Sequence, residues 1–211
     1  MPHNLSQTLL FRHACKKFDT QKKVSKEHLL AILEAGRVAP SSFGMEGWKF
    51  LVISQSPLKE KLAPICWGQA QITSSSHLII LLASVEGLKP SSGIPQQRFA
   101  RRPLPPEAIE NYVKKYSTHL EEVFQSDTLT FAWSARQTYI AMTQMMLMAS
   151  ALGIDSCPIE GFEADKLTQA LNLDPSQWRP AVLLPIGYRL TQPPKHIRLP
   201  FEEVVTFLDE C

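Results

Sequence analysis

The sequence predicts a soluble domain of the α plus β class, and three observations predict it. The chain is 211 residues long, the size of one compact domain or at most two small ones. Its apolar fraction of 44% and charged fraction of 20% are those of an ordinary globular protein, not a disordered one. Short continuous apolar runs alternate with longer segments of helical period. Taken by itself, that alternation points to a parallel sheet.

The elements follow in order. Residues 25–38 open with Ser25, carry Glu27 in the first turn, and supply an apolar stripe at Leu29, Leu30, Ile32 and Leu33, as an N-capped helix does. Pro40-Ser41-Ser42 ends it. Trp48 to Ile53 and His77 to Val85 are unbroken apolar runs, expected of strands buried on both faces. Residues 86–105 hold four prolines, two glycines and three arginines, with Pro106 just beyond, and read as a loop or lid, the least regular stretch of the chain. Residues 107–125 return to helical period. Residues 133–152 are apolar on nearly every side and read as the central helix, with Gly153 placed to cap its end. A short strand leads into Pro158-Ile159-Glu160-Gly161. Ala181 to Tyr188 is the last clear core strand, and a tail with Lys195, Arg198 and residues 200–208 closes the chain.

Several classes of function are disfavoured. A net charge of +2 is too small for an electrostatic grip on nucleic acid. With 16 prolines and 9 glycines, the chain is poorly suited to folds built on repeated tight glycine turns. Cys15, Cys66, Cys157 and Cys211 lie far apart, which argues against a zinc site and against a disulfide framework. The six histidines (3, 13, 28, 77, 119 and 196) form no metal-spaced pair, so no metal is expected. Tyr139 to Ile154, interrupted by Thr143, Gln144 and Ser150, falls short of the ~20 apolar residues of a membrane span. With no basic-then-apolar leader in Met1–Leu10, a cytoplasmic protein is expected. The dinucleotide glycine fingerprint, the phosphate-binding P-loop, H-E-x-x-H and G-x-S-x-G are all absent from the sequence.

Three segments remain. Arg12-His13-Ala14-Cys15-Lys16-Lys17-Phe18 is either a solvated basic face or an anion site, where each charge-assisted hydrogen bond to phosphate contributes roughly 1.5–3 kcal/mol. Pro40-Ser41-Ser42-Phe43-Gly44 is either a plain turn or a polar loop facing a ligand. Pro158-Ile159-Glu160-Gly161 is either a turn or a set of backbone N–H groups presented to a flat heteroaromatic ring.

In this order and spacing the segments resemble the FMN-dependent nitroreductase and NAD(P)H:flavin oxidoreductase family. Arg12, His13, Lys16 and Phe18 match its opening R-H-x-x-K-x-F. Pro40, Ser41, Ser42, Trp48 and Phe50 match its P-S-S and W-x-F. Ala151 to Phe162 (ALGIDSCPIEGF) matches A-L-G-x-D-x-x-P-I-E-G-F, and Lys195 and Arg198 match a basic pair before Leu199-Pro200. The resemblance spans nearly the whole chain, with residues 86–130 least alike.

The resemblance implies a single FMN-binding domain over residues 1–211, with 86–130 as a lid or excursion. It implies an α+β sandwich with a mixed, largely antiparallel sheet flanked by helices, and so replaces the parallel sheet that alternation suggests. The implied activity is reduction of nitroaromatic, quinone or flavin-type acceptors by NADH or NADPH through bound FMN, in a ping-pong cycle. Arg12, His13, Arg198 and either Lys195 or His196 would hold the FMN phosphate. Lys16 would sit at the flavin N1/O2 edge, where negative charge collects on reduction. The backbone amides of Glu160 and Gly161, carried by Pro158 and Ile159, would face N5 and O4. Pro40, Ser41, Ser42 and Gly44 would come from the other subunit of a homodimer. The chain departs from the family pattern at four places, one of them an extra residue between Lys195 and Arg198. Ala14 replaces a common Ser, Glu46-Gly47 replaces Gln-Pro, and Gly68 replaces an Asn, with Gln71 as a partial substitute. The alternatives are a specialised flavoenzyme of the same fold, such as a dehalogenase or flavin-fragmenting enzyme, and a flavin-binding protein without turnover. Its partners would be a second copy and a small-molecule acceptor, with neither nucleic acid nor membrane.

Overall fold

A computed structural model describes residues 5–209; His3 and Cys211 lie outside the described residues. The chain runs α1 (Leu5–Phe11), α2 (Lys26–Arg37), β1 (Trp48–Ile53), α3 (Ser56–Leu62), α4 (Ala70–Ser74), β2 (His77–Ser84), α5 (Ile94–Phe99), α6 (Pro106–His119), α7 (Asp127–Ala151), β3 (Asp155–Ser156), α8 (Ala164–Ala170), β4 (Trp178–Gly187) and α9 (Phe201–Val204).

The four strands are ordered β1-β2-β4-β3, and every neighbouring pair is antiparallel. A parallel contact occurs only as an isolated bridge, Ala14 to Ser156, among the described residues. The parallel sheet suggested by strand–helix alternation is therefore corrected. Alternation reports that helices separate the strands, not which way each strand returns. A central antiparallel strand with helices on both faces is as uniformly apolar as a parallel one.

The β2 strand shows this directly, since every residue after His77 is buried. Leu78, Ile80 and Leu82 face one core with Phe18, Leu62, Ile72, Cys157, Ile159 and Leu183. Ile79 and Leu81 face the other, with Ile32 of α2 and Met142, Met145 and Ala149 of α7. The period of two thus serves two cores at once. A bulge at Leu81/Leu82 lets β4 accommodate an extra residue, Ala181, between Pro180 and Val182. The β1 strand lies at the sheet edge. Lys49 and Val52 are exposed, so it is not buried on both faces as its apolar run suggested.

Helix ends follow local chemistry. Ser25 Oγ accepts from the His28 N–H at 3.2 Å, and Ser126 Oγ accepts from the Leu129 N–H at 3.2 Å, capping α2 and α7. Gly153, at φ 71°, ends α7 in the left-handed conformation while the Ile154 N–H reaches back to Ala149 O at 2.8 Å. The central helix starts six residues before Trp133, because Ser126 and Asp127 form a cap that the apolar run hides. The segment 86–105 is more regular than a loop: it contains turns at Glu86–Leu88 and Pro90–Ser92 and the helix α5. Its prolines stand at helix starts, where the missing N–H costs nothing. The next helix, α6, stops at His119, with a separate turn at Val123–Gln125. These lid elements build a third core of Met45, Leu88, Phe99, Tyr116, Leu120 and Trp133.

Candidate active site

The basic N-terminal segment is fastened along the outer side of β3. The Cys15 N–H donates to Ser156 O at 3.1 Å, the Phe18 N–H to Ser74 Oγ at 3.2 Å, and the Asp19 N–H to Tyr188 O at 2.8 Å. Phe18 is 1% exposed and anchors the run in the core. Arg12, Ala14, Lys16 and Lys17 are thereby left at the surface beside the start of the Pro158 turn. Lys16 is near enough to Cys157 to pull its thiol toward ionisation, although burial dominates and holds the pKa above the ordinary value. The first and third sequence segments therefore meet. Burial likewise pushes Cys15 and Cys66 up to about 11, so all three described thiols are protonated and poor nucleophiles.

A buried carboxylate organises this corner. Asp155 Oδ2 accepts from the Arg189 N–H at 2.8 Å and from Nε at 3.0 Å, and Oδ1 lies 2.7 Å from Arg189 Nη2 and 3.5 Å from His13 Nδ1. The Arg189 guanidinium also lies 4.1 Å above the Phe11 ring. Burial, and then Arg189, hold the His13 pKa below its ordinary value, with Asp155 opposing. His196 from the C-terminal tail acts on His13 in the same lowering sense. The two chain ends do converge here, and a cavity of about 120 Å³ is shared by His13–Lys17 and Thr191–Pro194. Lys195 and Arg198 are exposed, and Arg198 Nη1 donates to Ile197 O at 2.6 Å. Arg12 forms no ion pair among the described residues.

The Pro158–Gly161 turn continues the β3 edge, with the Ile159 N–H donating to Leu183 O at 2.9 Å. Gly161 is packed so tightly that an added Cβ would stand 2.7 Å from the Trp67 ring. Gln69 Nε2 donates to Gly161 O at 2.8 Å, and Gln71, buried, directs its amide to Cys157 Sγ at 3.8 Å. Gly68 at φ 64° makes the bend between them. The Glu160 carboxylate accepts from the Tyr139 hydroxyl of α7. Its backbone N–H and that of Gly161 donate to no acceptor among the described residues.

The Ser41–Gly44 loop stands elsewhere. Its Ser42 N–H donates to Gln137 Oε1 of α7 at 2.9 Å, and Ser41 Oγ accepts from the Glu46 N–H at 2.8 Å. Gln137 and Tyr139, two residues apart, project about 200° from one another around the helix. The loop and Glu160 are thus fixed to different faces of α7, and one chain does not bring them together. Phe43 and Gly44 both have positive φ, at 56° and 65°. Arg102 Nη2 holds Phe43 O at 2.8 Å, and Arg101 grips Glu46 through two contacts of 3.0 and 3.1 Å.

Sequence reasoning missed Asp155, Arg189, Tyr139, Gln69 and Gln137. The D of the A-L-G-x-D pattern, a lone acid within Leu152–Ile159, is the signal that could have raised Asp155. Tyr139 looks like core in a helix apolar all round. Among the described residues no group of three or more His, Cys, Asp or Glu side chains could hold a metal ion. No helix there is long and apolar enough to cross a membrane.

The fold and these motifs define a class, and comparison with known proteins agrees. The nitroreductase family model matches residues 9–188, and the chain belongs to that family. It is 36% identical over 218 residues to a Staphylococcus haemolyticus protein named as a candidate NAD(P)H nitroreductase, covering 99% of each chain. A candidate nitroreductase of Exiguobacterium sibiricum, solved in complex with FMN, superposes with TM-score 0.81 at 26% identity over 97% of each chain. A Staphylococcus epidermidis protein described as a candidate NAD(P)H:FMN oxidoreductase shares the fold at 22% identity and TM-score 0.84, covering 99% of this chain and 98% of that one.

The residues present suit FMN. Unused amides at Glu160 and Gly161, the close-packed Gly161, the unpaired Arg12 and the exposed Lys16 lie along one edge of the sheet. They offer donors and positive charge to a ligand that is polar at its rim and anionic at one end.

Proposed function

We propose that this protein is an FMN-dependent oxidoreductase that uses NADH or NADPH to reduce nitroaromatic, quinone or flavin-type acceptors by a ping-pong mechanism. The observation that carries this reading is the pair of free N–H groups at Glu160 and Gly161 with the Lys16 ammonium on the adjoining strand edge. The cofactor supplies hydride acceptance and donation when bound. Lys16 supplies fixed positive charge where electron density rises, and this selectively lowers the energy of the reduced state. The Glu160 carboxylate, held by Tyr139, keeps the turn in place and leaves the amides to make the contact. Pro158 and Ile159 set the height of that turn, and Gly68 and Gln71 border the same edge. Arg12, His13, Arg198 and Lys195 or His196 neutralise the phosphate. Ala14 offers only its backbone.

The site is completed by a second copy. The tail carries Ile197 at 88% exposure and Leu208 at 96%, together with Leu199, Phe201, Val204 and Phe207. Leu5, Leu9 and Leu10 of α1 are also exposed. Apolar surface on this scale is characteristic of an obligate interface. In the homodimer the loop of Pro40, Ser41, Ser42 and Gly44 serves the partner's flavin, as its separation from Glu160 requires. The whole chain then acts as one FMN-binding domain with 86–130 as its lid.

The test is anaerobic. The purified protein should be yellow, and NADH or NADPH should bleach it. The Lys16→Ala variant should keep its flavin and be reduced more slowly. A colourless protein that takes up no added FMN overturns the reading, and a yellow one that neither nicotinamide bleaches is a passive binder.

A further inference from the structure

The two faces of α6 differ in chemistry. Ile109, Val113, Tyr116 and Leu120 recur at helical spacing and pack into or against the lid core. Asn111, Lys114, Lys115, Thr118 and His119 stand at i, i+3, i+4, i+7 and i+8 and share the other face. Such a face ordinarily looks into open water. Here Phe43 stands beside it, its ring centroid 5.6 Å from that of His119, and the six residues line an open groove of about 700 Å³.

The lining is one-sided in charge. It holds two ammonium groups, an imidazole, an amide and a hydroxyl, and no carboxylate. Neither lysine has a carboxylate within ion-pair distance among the described residues. Residues 86–119 contain six Lys and Arg against three Glu, whereas the whole chain carries only +2. Positive charge is thus in excess over this stretch, while residues 120–130 add Glu121, Glu122 and Asp127 and no Lys or Arg.

Phe43 is held as a fixed surface. Its backbone has φ 56°, its carbonyl is held by Arg102 at 2.8 Å, and its ring meets Tyr116 edge-on at 5.3 Å. A rigid aromatic ring beside paired ammonium groups suits a stacked purine that carries phosphate. Phe43 directly follows Ser41 and Ser42, the loop assigned above to the partner's flavin, so the cavity opens beside that flavin.

We propose that this cavity receives the phosphorylated adenosine half of NADPH, with Phe43 as the stacking surface and Lys114 and Lys115 on the 2′-phosphate. The protein then prefers NADPH to NADH. The inference rests on the flavin-reductase reading above. A ligand bearing a 2′-phosphate gains from the two lysines, whereas NADH, which lacks that group, gains little.

The experiment uses the FMN-loaded protein and the double variant Lys114→Gln/Lys115→Gln, whose altered side chains are both exposed. Reduction of the flavin is followed at increasing NADPH and, separately, NADH. The expected result is a wild-type preference for NADPH. In the variant, half-saturating NADPH rises at least tenfold, the limiting rate is kept, and the response to NADH changes less than twofold. A second arm is independent of turnover: calorimetric titration with adenosine 2′,5′-bisphosphate and with AMP. Wild type should bind the bisphosphate more tightly, and the variant should lose that difference. Flavin bleached equally well by NADH and NADPH overturns the inference and leaves the enzyme reading intact. So does a variant that weakens both nicotinamides alike. A variant that weakens only an anionic aromatic acceptor overturns it as well, and assigns the cavity to that acceptor. Flavin bound but reduced by neither nicotinamide overturns the enzyme reading, while the calorimetric arm still decides what the cavity binds.

Discussion

Two arginine–carboxylate pairs in this molecule have nearly the same geometry and opposite surroundings. At the β3 edge Asp155 and Arg189 have side chains only 3% and 18% exposed, and the carboxylate also lies against His13. In the second pair Arg101 meets Glu46 of the loop before β1, and the Glu46 and Arg101 side chains are 43% and 55% exposed. Asp155 and Arg189 have given up water and depend on one another, so removal of one strands the other. Glu46 and Arg101 remain hydrated, and their mutual attraction is largely offset by screening and side-chain entropy. The β3 edge is thus tied into the main core, while residues 86–130 build a satellite with its own aromatic centre and weak polar fastenings. This division suits a site with one fixed wall and one adjustable wall.

The largest effect expected from this difference is on stability. Asp155→Ala should destabilise the apoprotein by about 3–5 kcal/mol, by leaving the Arg189 charge uncompensated. Glu46→Ala should cost no more than about 1 kcal/mol. Urea unfolding of both variants measures the contrast, and equal losses would erase it.

Next in size is an effect on binding. Arg12 has no ion pair among the described residues, so Arg12→Ala should leave the apoprotein's unfolding midpoint nearly unchanged. It should weaken FMN about 10- to 100-fold, the equivalent of one charge-assisted hydrogen bond. Quenching of flavin fluorescence gives the affinity. Unchanged affinity would remove Arg12 from the phosphate site.

The smallest effect is on pH dependence. His13 is held below its ordinary pKa by burial and by Arg189, and His77 by burial and by Lys59. The unfolded chain takes up these protons near pH 6.5, and the folded chain resists them. Stability is therefore full above about pH 6.5 and falls as the pH drops from there toward the lowered folded values. His13→Gln should flatten part of this slope. Unfolding midpoints taken across this range test it, and an unchanged slope would mean that His13 is not strained by its neighbours.

Much of this was legible in the residues. The strands β1, β2 and β4, the helix α2 with its Ser25 cap, and Gly153 after α7 all follow from local rules that act over four or five positions. The short helices α3, α4 and α8 were not legible, because five to seven residues carry too little periodicity to separate a helix from a turn. The basic segment and the Pro158 turn were visible as motifs. Their meeting was not, since it depends on backbone bonds from Cys15 to Ser156 and from Asp19 to Tyr188. The Asp155–Arg189 pair joins residues 34 positions apart, and no short window contains both.

By itself the sequence determined the apolar runs of β2 and β4, the Ser25 cap of α2 and the Gly153 end of α7. These are properties of neighbours along the chain. The tertiary structure alone set Asp155 against Arg189, the Glu160 carboxylate against the Tyr139 hydroxyl, and the Ser41–Ser42 loop against Gln137 on a different face of α7. Each of those depends on contacts between residues far apart in the chain. Such contacts form only once the core has closed, because burial rather than local preference chooses among the arrangements that the local rules allow.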